Sequence, residues 1–179
     1  MRQYLLFFAF LILPFFSAGQ EVQWLKFEEA VQLNEKEPRP FLVDFYTVWC
    51  GPCRMMNKRT FGDPIIAQYI NEKFYPIKFN AEGRDSVRLA DQLFFNPDYD
   101  PKRSRSRNST HQLTRAMASV NGRIAYPTVV YLNERMEIIT PVQGYIQAAE
   151  MEPILHFIAE GAYADQEYQT FRTSFKGSF

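Results

Sequence analysis

Cysteine, net charge and long apolar runs are all scarce in this chain of 179 residues. Its two cysteines are too few for a small scaffold held together by several disulfides. Twenty basic residues balance twenty acidic ones, which excludes the strongly basic profile of most nucleic-acid-binding proteins. Aromatic residues make up 16% of the chain, too many for a disordered polypeptide. We therefore expect one compact domain with its own core and no nucleic-acid partner.

The one long apolar run lies at the N-terminus. It follows the positive charge of Arg2, extends over residues 4–16 and ends at a group of small residues. This order is typical of a secretory signal peptide. We predict a signal peptide over residues 1–19 and, after its cleavage, a soluble, exported and periplasmic protein. The alternative is an uncleaved membrane anchor, although the run is short and Pro14 interrupts it.

The rest of the chain alternates between strand and helix patterns. Apolar spacing predicts helices over residues 24–37, near 50–59, from 63, over 83–94, from 109 or 110, around 151–158 and around 168–175. Short apolar runs predict strands over residues 41–46, 75–80, 128–132 and 136–142. A tight turn joins the last two strands, which favours an antiparallel hairpin. The order predicts an α/β protein with a mixed sheet and helices on both faces.

Both cysteines belong to one motif, Cys50-Gly51-Pro52-Cys53, which follows an apolar strand and begins a predicted helix. The free N–H groups and the positive dipole end of a helix N-terminus stabilise a thiolate. The pKa of a thiol at such a site falls into the range of about 3.5–7.5. Cys50 is therefore the expected nucleophile. Cys53, one turn further along, is the expected thiol that resolves a mixed disulfide.

A structural disulfide and a metal site are the two alternatives to redox chemistry at this motif. A structural disulfide between Cys50 and Cys53 would close almost no loop, so it would add little stability. A tetrahedral metal site needs four ligands, and His111 and His156 are the remaining candidates. We therefore predict a redox-active Cys50–Cys53 disulfide, with no metal and no other cofactor.

Four stretches of the chain resemble the thioredoxin family. Residues 41–53 resemble its active-site strand and turn, and residues 126–128 resemble its cis-proline segment. Residues 78–80 resemble the end of its third strand, and Gly144 precedes the last amphipathic helix as it does in the family. The resemblance extends over residues 24–160. It implies a thioredoxin fold with a central mixed β-sheet and helices on both faces.

The residues after the Cys50–Cys53 motif resemble one branch of the family more than the others. Residues 55–56 and 60–64 are similar to exported thioredoxin-like proteins and to the C-terminal domain of the membrane thiol:disulfide interchange protein. We therefore assign residues 20–160 to a thioredoxin-like domain, with an insertion at about 94–123 before the cis-proline strand. Residues 161–179 are assigned to a short C-terminal helical extension.

The resemblance also implies roles for individual residues. Asp44, within a run predicted to be buried, is implied to exchange protons with the resolving thiol, and burial raises a carboxyl pKa as this role requires. Lys78 is implied to be its neighbour, and an exposed surface lysine is the alternative. The family also has a cis peptide bond at the position of Pro127. Substrate contacts are implied for Trp49, Gly51, Pro52, Tyr126 and Pro127.

Two segments depart from a minimal member of the family. The insertion contains a basic run at residues 102–107, which either stays a solvated loop or docks an acidic partner or a membrane surface. His111 is expected at the surface or as a helix cap. The extension carries Tyr168, Phe171 and Phe175 on one helical face, which either packs onto the domain or docks a partner.

The motif and the resemblance together predict an exported thiol:disulfide oxidoreductase. Gly-Pro between the cysteines resembles the reducing members of the family, so we expect a reductase of protein disulfides. A reductase in an oxidising compartment must be recharged, which implies a membrane electron donor. Membrane contact is otherwise limited to the signal peptide or weak docking. The alternatives are a thiol peroxidase and a binding or chaperone module whose cysteine pair is idle.

Overall fold

A computed structural model describes residues 21–89 and 91–179, so the predicted signal peptide at 1–19 lies outside the described residues. The helices are α1 (Phe27–Asn34), α2 (Gly51–Arg59), α3 (Pro64–Lys73), α4 (Gln112–Met117), α5 (Ala148–Ala159) and α6 (Tyr168–Ser174). The strands are β1 (Phe41–Tyr46), β2 (Tyr75–Asn80), β3 (Val87–Leu89), β4 (Gln92–Phe94), β5 (Thr128–Leu132) and β6 (Ile138–Gln143). Within the described residues, no helix combines the length and apolar character needed to cross a bilayer.

The central sheet has the strand order β2-β1-β5-β6. β1 and β2 are parallel, whereas β5 is antiparallel to both of its neighbours. A parallel pair needs a crossover connection, and α2 and α3 provide it. Leu25 adds a single parallel bridge to Ile77 beyond β2. The mixed sheet expected from the sequence is confirmed.

Helices cover both faces of this sheet, as the alternation of side chains along β1 shows. Phe41, Val43 and Phe45 lie in the core that the sheet forms with α1 and α4. Leu42 lies in the other core, with residues of α2, α3 and α5. Because successive side chains of a strand point to opposite faces, Asp44 shares the face of Leu42. The fold therefore places this carboxylate beneath the helix that carries the cysteines.

Sheet pairing shortens the first predicted helix. The sequence predicts a helix over residues 24–37, but α1 begins only at Phe27. Leu25 N donates a hydrogen bond to Pro76 O at 2.8 Å, which keeps this stretch extended along β2. The apolar side chains near Trp24 contact the core, but they do so from an extended segment and not from a helix.

The helix predicted over residues 83–94 is wrong. This stretch contains the antiparallel pair β3 and β4, in which Val87 is the direct partner of Phe94. The spacing of seven residues from Val87 to Phe94 fits two helical turns and also fits a short hairpin. Val87 packs in the core beneath α1, and this packing favours the hairpin over the helix.

The predicted hairpin of β5 and β6 is present, but β6 begins later than expected. Asn133 Oδ1 accepts hydrogen bonds from Arg135 N and Glu137 N, both at 2.9 Å. Met136 has a positive φ of 61°. This turn, built on the asparagine side chain, occupies the first residues of the predicted strand and moves its start to Ile138.

The C-terminal extension packs back onto the domain, which is the first of its two expected arrangements. Phe157 of α5 meets the rings of Tyr168 and Phe171, with centroid distances of 5.4 and 5.3 Å. Further on, Ser178 N donates to the buried carboxylate of Glu152 at 2.9 Å. The extension is therefore joined to α5 by aromatic packing and by a hydrogen bond.

Candidate active site

The two cysteines lie at the N-terminus of α2, directly after β1. Their sulfur atoms are 2.06 Å apart and form a disulfide. Cys50 is the N-cap, and its Sγ accepts a hydrogen bond from Cys53 N at 3.1 Å. Both residues are largely buried, with Cys50 3% and Cys53 6% exposed. The N-terminal end of the helix is therefore aimed at the Cys50 sulfur, where its dipole favours negative charge.

Asp44 and Lys78 form a pair below this helix. They are register partners in the parallel strands β1 and β2, and Asp44 Oδ2 lies 3.9 Å from Lys78 Nζ. Asp44 Oδ1 is buried and has no hydrogen-bond partner among the described residues. Burial raises the pKa of Asp44 to about 6, and the nearby Lys78 ammonium limits the rise. A carboxyl group with this pKa is close to half ionised under mildly acidic conditions.

Lys78 is held by several groups and is not a freely exposed lysine. Its Nζ donates a hydrogen bond to Asn57 Oδ1 on α2. It also lies 4.9 Å from the ring centroid of Trp24 and 5.5 Å from that of Tyr46. Burial lowers the pKa of Lys78, and the Asp44 carboxylate opposes this shift. The alternative of a solvated surface lysine is therefore excluded.

A surface pocket of about 230 Å³ opens beside the buried cysteine. Its lining includes Cys53, Asn57 and Lys78. The pocket thus brings Cys53, Asn57 and Lys78 to one opening, although most of its surface is apolar.

Trp49, immediately before the first cysteine, is fixed on two sides. Its indole Nε1 donates a hydrogen bond to Glu82 Oε2 at 2.8 Å. Its ring meets Tyr126 edge-on, with the centroids 6.0 Å apart. The Tyr126–Pro127 peptide bond is cis, and Pro127 O accepts a hydrogen bond from Gly144 N at 2.8 Å. The predicted cis-proline segment is therefore adjacent to Trp49.

Gly51 and Pro52 form the first turn of α2 between the cysteines. Pro52 is exposed and Gly51 is half-buried. A Cβ atom built on Gly51 would meet nothing closer than the Arg54 guanidinium, at 3.9 Å. Gly51 and Pro52 therefore place no bulky side chain over the disulfide, and the surface above it is accessible.

The two histidines lie in separate places. His111 is fully buried and caps α4, with its Nδ1 accepting from Leu113 N at 3.0 Å. The expectation of a capping histidine is confirmed, whereas a surface position is wrong because the ring packs against Phe79. His156 pairs instead with Glu160, 2.7 Å away. Over residues 21–89 and 91–179, no three His, Cys, Asp or Glu side chains cluster as metal ligands would.

Three contacts of this site are not among the sequence predictions. Glu82 binds the indole of Trp49, Arg107 lies over its ring, and Asn57 binds Lys78. Glu82 follows β2 as Trp49 follows β1, and the carboxyl ends of parallel strands meet at one sheet edge. Asn57 lies four residues after Cys53, on the same helical face. The sequence spacing could therefore have predicted the contacts of Glu82 and Asn57. The position of Arg107 depends on how the insertion folds, which the spacing does not show.

Comparison with known proteins places this geometry in a family. The model of the thioredoxin-like domain family matches residues 27–159. A thioredoxin-like protein of Synechocystis is 48% identical over 71 residues, which are 38% of this chain and 62% of that protein. The chain therefore spans less than two thirds of this relative's length.

Two solved structures support the same fold. A thioredoxin from Thermus thermophilus superposes with a TM-score of 0.56 at 19% identity, over 82% of this chain and 94% of that one. The DsbH oxidoreductase gives a TM-score of 0.53 at 13% identity, over 80% and 88%. At these identities the likeness concerns the fold alone. With its Cys50–Cys53 disulfide at the start of α2, the chain belongs to the thioredoxin-like domain family.

Proposed function

We propose that this protein is a thiol:disulfide oxidoreductase that reduces disulfides in other proteins through Cys50 and Cys53. The observation that carries the proposal is the position of the Cys50 sulfur at the N-terminus of α2, 3.1 Å from Cys53 N. In the reduced protein the same N–H group and helix dipole would stabilise a Cys50 thiolate. A stabilised thiolate beside a second thiol is the arrangement that disulfide exchange requires.

The first step joins the substrate to the protein. The Cys50 thiolate attacks one sulfur of the substrate disulfide, and a mixed disulfide forms while the S–S bond of the substrate breaks. The other substrate sulfur leaves as a thiolate and takes up a proton. Cys50 is the proposed attacking residue because its sulfur lies at the N-cap of α2, where the helix dipole stabilises a thiolate.

The second step releases the product. The Cys53 thiol gives its proton to the Asp44 carboxylate and attacks the Cys50 sulfur, so the mixed disulfide breaks and the Cys50–Cys53 disulfide forms. The second substrate sulfur leaves as a thiolate and is protonated. The substrate has then gained two electrons and two protons. An acceptor with a pKa of about 6 suits this role near neutral pH.

Trp49, Gly51, Pro52, Tyr126 and Pro127 are proposed to form the surface on which the substrate lies. The open turn above the disulfide leaves room for an extended chain, and the cis-proline segment directly before β5 is proposed to offer backbone groups to it. Lys78 serves as a positioning residue, since it acts on the proton acceptor Asp44.

Each turnover consumes two electrons, so an external dithiol must reduce the Cys50–Cys53 disulfide again. With the predicted signal peptide at residues 1–19, the proposal extends to an exported reductase that is recharged by a membrane electron donor. Cell fractionation with N-terminal sequencing of the mature chain tests this part. Recovery of the full-length chain from the cytoplasm contradicts it.

The reductase proposal is tested by the reduction of insulin disulfides with dithiothreitol as electron donor. We expect turnover by the wild-type chain, none by Cys50→Ser, and a trapped mixed disulfide with Cys53→Ser. Arg59→Gln, a surface change at the far end of α2, is the matched control. Wild-type activity no higher than that of Cys50→Ser overturns the proposal, and rapid consumption of peroxide instead of insulin assigns the pair to a thiol peroxidase.

A further inference from the structure

The predicted insertion, at about 94–123, contains a folded loop between β4 and α4. We call residues 96–110 the basic loop. Asn96 is buried at its start, and its Nδ2 donates to Gly83 O at 3.1 Å and to Ser109 O at 2.8 Å. Ser109 Oγ returns a hydrogen bond to Asn96 Oδ1 at 2.7 Å. The two ends of the loop are therefore fastened to each other and to the chain after β2.

A second set of bonds closes the tip of the basic loop. Asp100 N donates to Asn108 Oδ1 at 2.9 Å, and Asn108 Nδ2 donates back to Asp100 O at 2.8 Å. The Asp100 side chain accepts from Lys102 N at 2.9 Å. Residues 101–107 are consequently presented as one turn, and every residue in it is exposed.

The loop is attached to the redox site itself. Glu82 Oε2 accepts hydrogen bonds from both Trp49 Nε1 and Asn108 N, each at 2.8 Å. The Arg107 guanidinium lies over the indole ring, with its Cζ 4.3 Å from the ring centroid. The residue next to Cys50 is therefore also the residue that contacts the loop.

The charge of the loop is not neutralised by the domain. Its basic side chains are Lys102, Arg103, Arg105 and Arg107. Against these four the loop has two acidic residues, Asp98 and Asp100, so its net charge is +2. Among the described residues, no ion pair involves any of the four basic side chains. Glu82, the nearby carboxylate, already accepts two N–H groups.

We propose that the basic loop is a recognition surface for an acidic polypeptide segment that flanks the disulfide of the substrate. This inference rests on the proposed function. A substrate disulfide above Cys50 brings its neighbouring residues across Trp49 and towards Arg107. Arginine side chains with free N–H groups bind carboxylates in a bidentate manner. A polypeptide is favoured over a membrane because the loop lies beside a site that accepts a single chain.

Two synthetic disulfide peptides of the same length test the proposal, one with glutamates on both sides of the disulfide and one with serines. The measured quantity is the second-order rate constant of each peptide with the pre-reduced protein. We expect the acidic peptide to react about tenfold faster at low ionic strength. The ratio should approach one at high salt, where charges are screened over a few ångströms.

A fourfold loop variant, with glutamine at positions 102, 103, 105 and 107, is expected to lose this preference. The quantity compared is the ratio of the rate constants for the acidic and the serine peptide. A substitution that changes the reactivity of the cysteines towards both peptides therefore leaves this ratio unchanged. A matched variant carries the same charge change at four exposed positions elsewhere: Lys36→Gln, Lys73→Gln, Arg172→Gln and Lys176→Gln. It should keep the preference of the wild-type chain.

Three outcomes would overturn the proposal. The first is an equal rate of the wild-type chain with both peptides, and the second is an equal loss of the preference in both fourfold variants. The third is binding of anionic lipid vesicles to the loop while the two peptides are not distinguished. If no peptide is reduced at all, the proposed reductase function fails, and a binding experiment then decides whether the basic loop recognises acidic segments. Binding of a glutamate-rich peptide to the oxidised protein, measured by fluorescence anisotropy, must then weaken in the loop variant and not in the matched one.

Discussion

Asp44 Oδ2 lies 3.9 Å from Lys78 Nζ, and the two residues are direct register partners in the parallel strands β1 and β2. The ammonium group partly offsets the burial of the carboxylate but does not cancel it. The other oxygen of Asp44 has no partner within the described residues. The pair is therefore expected to add little to stability, and the raised pKa of Asp44 suits the proposed exchange of protons.

Replacing Asp44 with asparagine should stabilise the oxidised protein at neutral pH. The pKa of Asp44 is about 6 in the folded state against an ordinary 3.8, so the folded state binds more protons between these values. Stability therefore falls as pH rises through this window and stays lower above it. We expect Asp44→Asn to gain up to about 3 kcal/mol above pH 7 and almost nothing near pH 4.

Urea unfolding of the oxidised protein at both pH values measures this difference. Asp91→Asn removes an exposed carboxylate and serves as the control, with no change expected at either pH. An equal gain for Asp44→Asn at both pH values would show that ionisation of Asp44 is not the cause. In insulin reduction, the same variant should turn over more slowly, because the proposed proton acceptor is missing.

Lys78→Gln should raise the pKa of Asp44 further. The ammonium is the group that lowers this pKa, and glutamine removes its charge while keeping a polar side chain. A carboxyl ¹³C NMR titration of Asp44 measures the shift directly. Lys36→Gln, an exposed change on the loop after α1, should leave the titration unchanged. A pKa that is unaltered or lower in Lys78→Gln contradicts the assigned coupling.

Much of the fold could be predicted because local pattern and global packing agree there. The apolar run of β1, the Asp63-Pro64 start of α3 and the amphipathic spacing of α5 each indicate the element that is found. The pattern failed over residues 83–94, where the spacing of apolar residues fits a helix and a hairpin equally. Only contact with α1 separates the two, and such a long-range contact leaves no local signal.

Glu82→Ala should destabilise the protein, whereas Glu82→Gln should have little effect. Both donors, Trp49 Nε1 and Asn108 N, bind the same oxygen, so one amide oxygen can replace it. Alanine leaves both donors without their partner, at a cost of about 2 kcal/mol. Chemical unfolding followed by circular dichroism gives the comparison. If glutamine is as damaging as alanine, the charge of Glu82 matters more than its hydrogen bonds.

Phe171→Ala should lower the free energy of unfolding by roughly 1–3 kcal/mol, since it removes a half-buried ring that packs on Phe157. Phe179, 55% exposed, gives the matched control, and Phe179→Ala should change stability by less than about 0.5 kcal/mol. Thermal unfolding of both variants measures the difference. Equal behaviour of the two would mean that α6 contributes nothing to the stability of the domain.

The candidate site divides into a part that sequence could indicate and a part that it could not. The proposed roles of Cys50 and Cys53 follow from a motif at a helix start, and the burial of Asp44 follows from the apolar run around it. The contact of Arg107 with Trp49 depends on the side-chain hydrogen bonds within the insertion and on Glu82. A run of basic residues shows charge, but its position in space comes from those bonds.

Asp44 and the residue that follows the basic loop lie on opposite faces of the central sheet. Asp44 shares the face of Leu42 and α2, whereas His111, which follows the basic loop, packs edge-on against Phe79 on the other face. A change in the loop sequence therefore acts first on Trp49 and Glu82 and not on the Asp44 carboxylate. For protein engineering, the proposed recognition loop offers a segment whose sequence can be rewritten to redirect the choice of substrate, provided that the contacts of Trp49 beside Cys50 are kept.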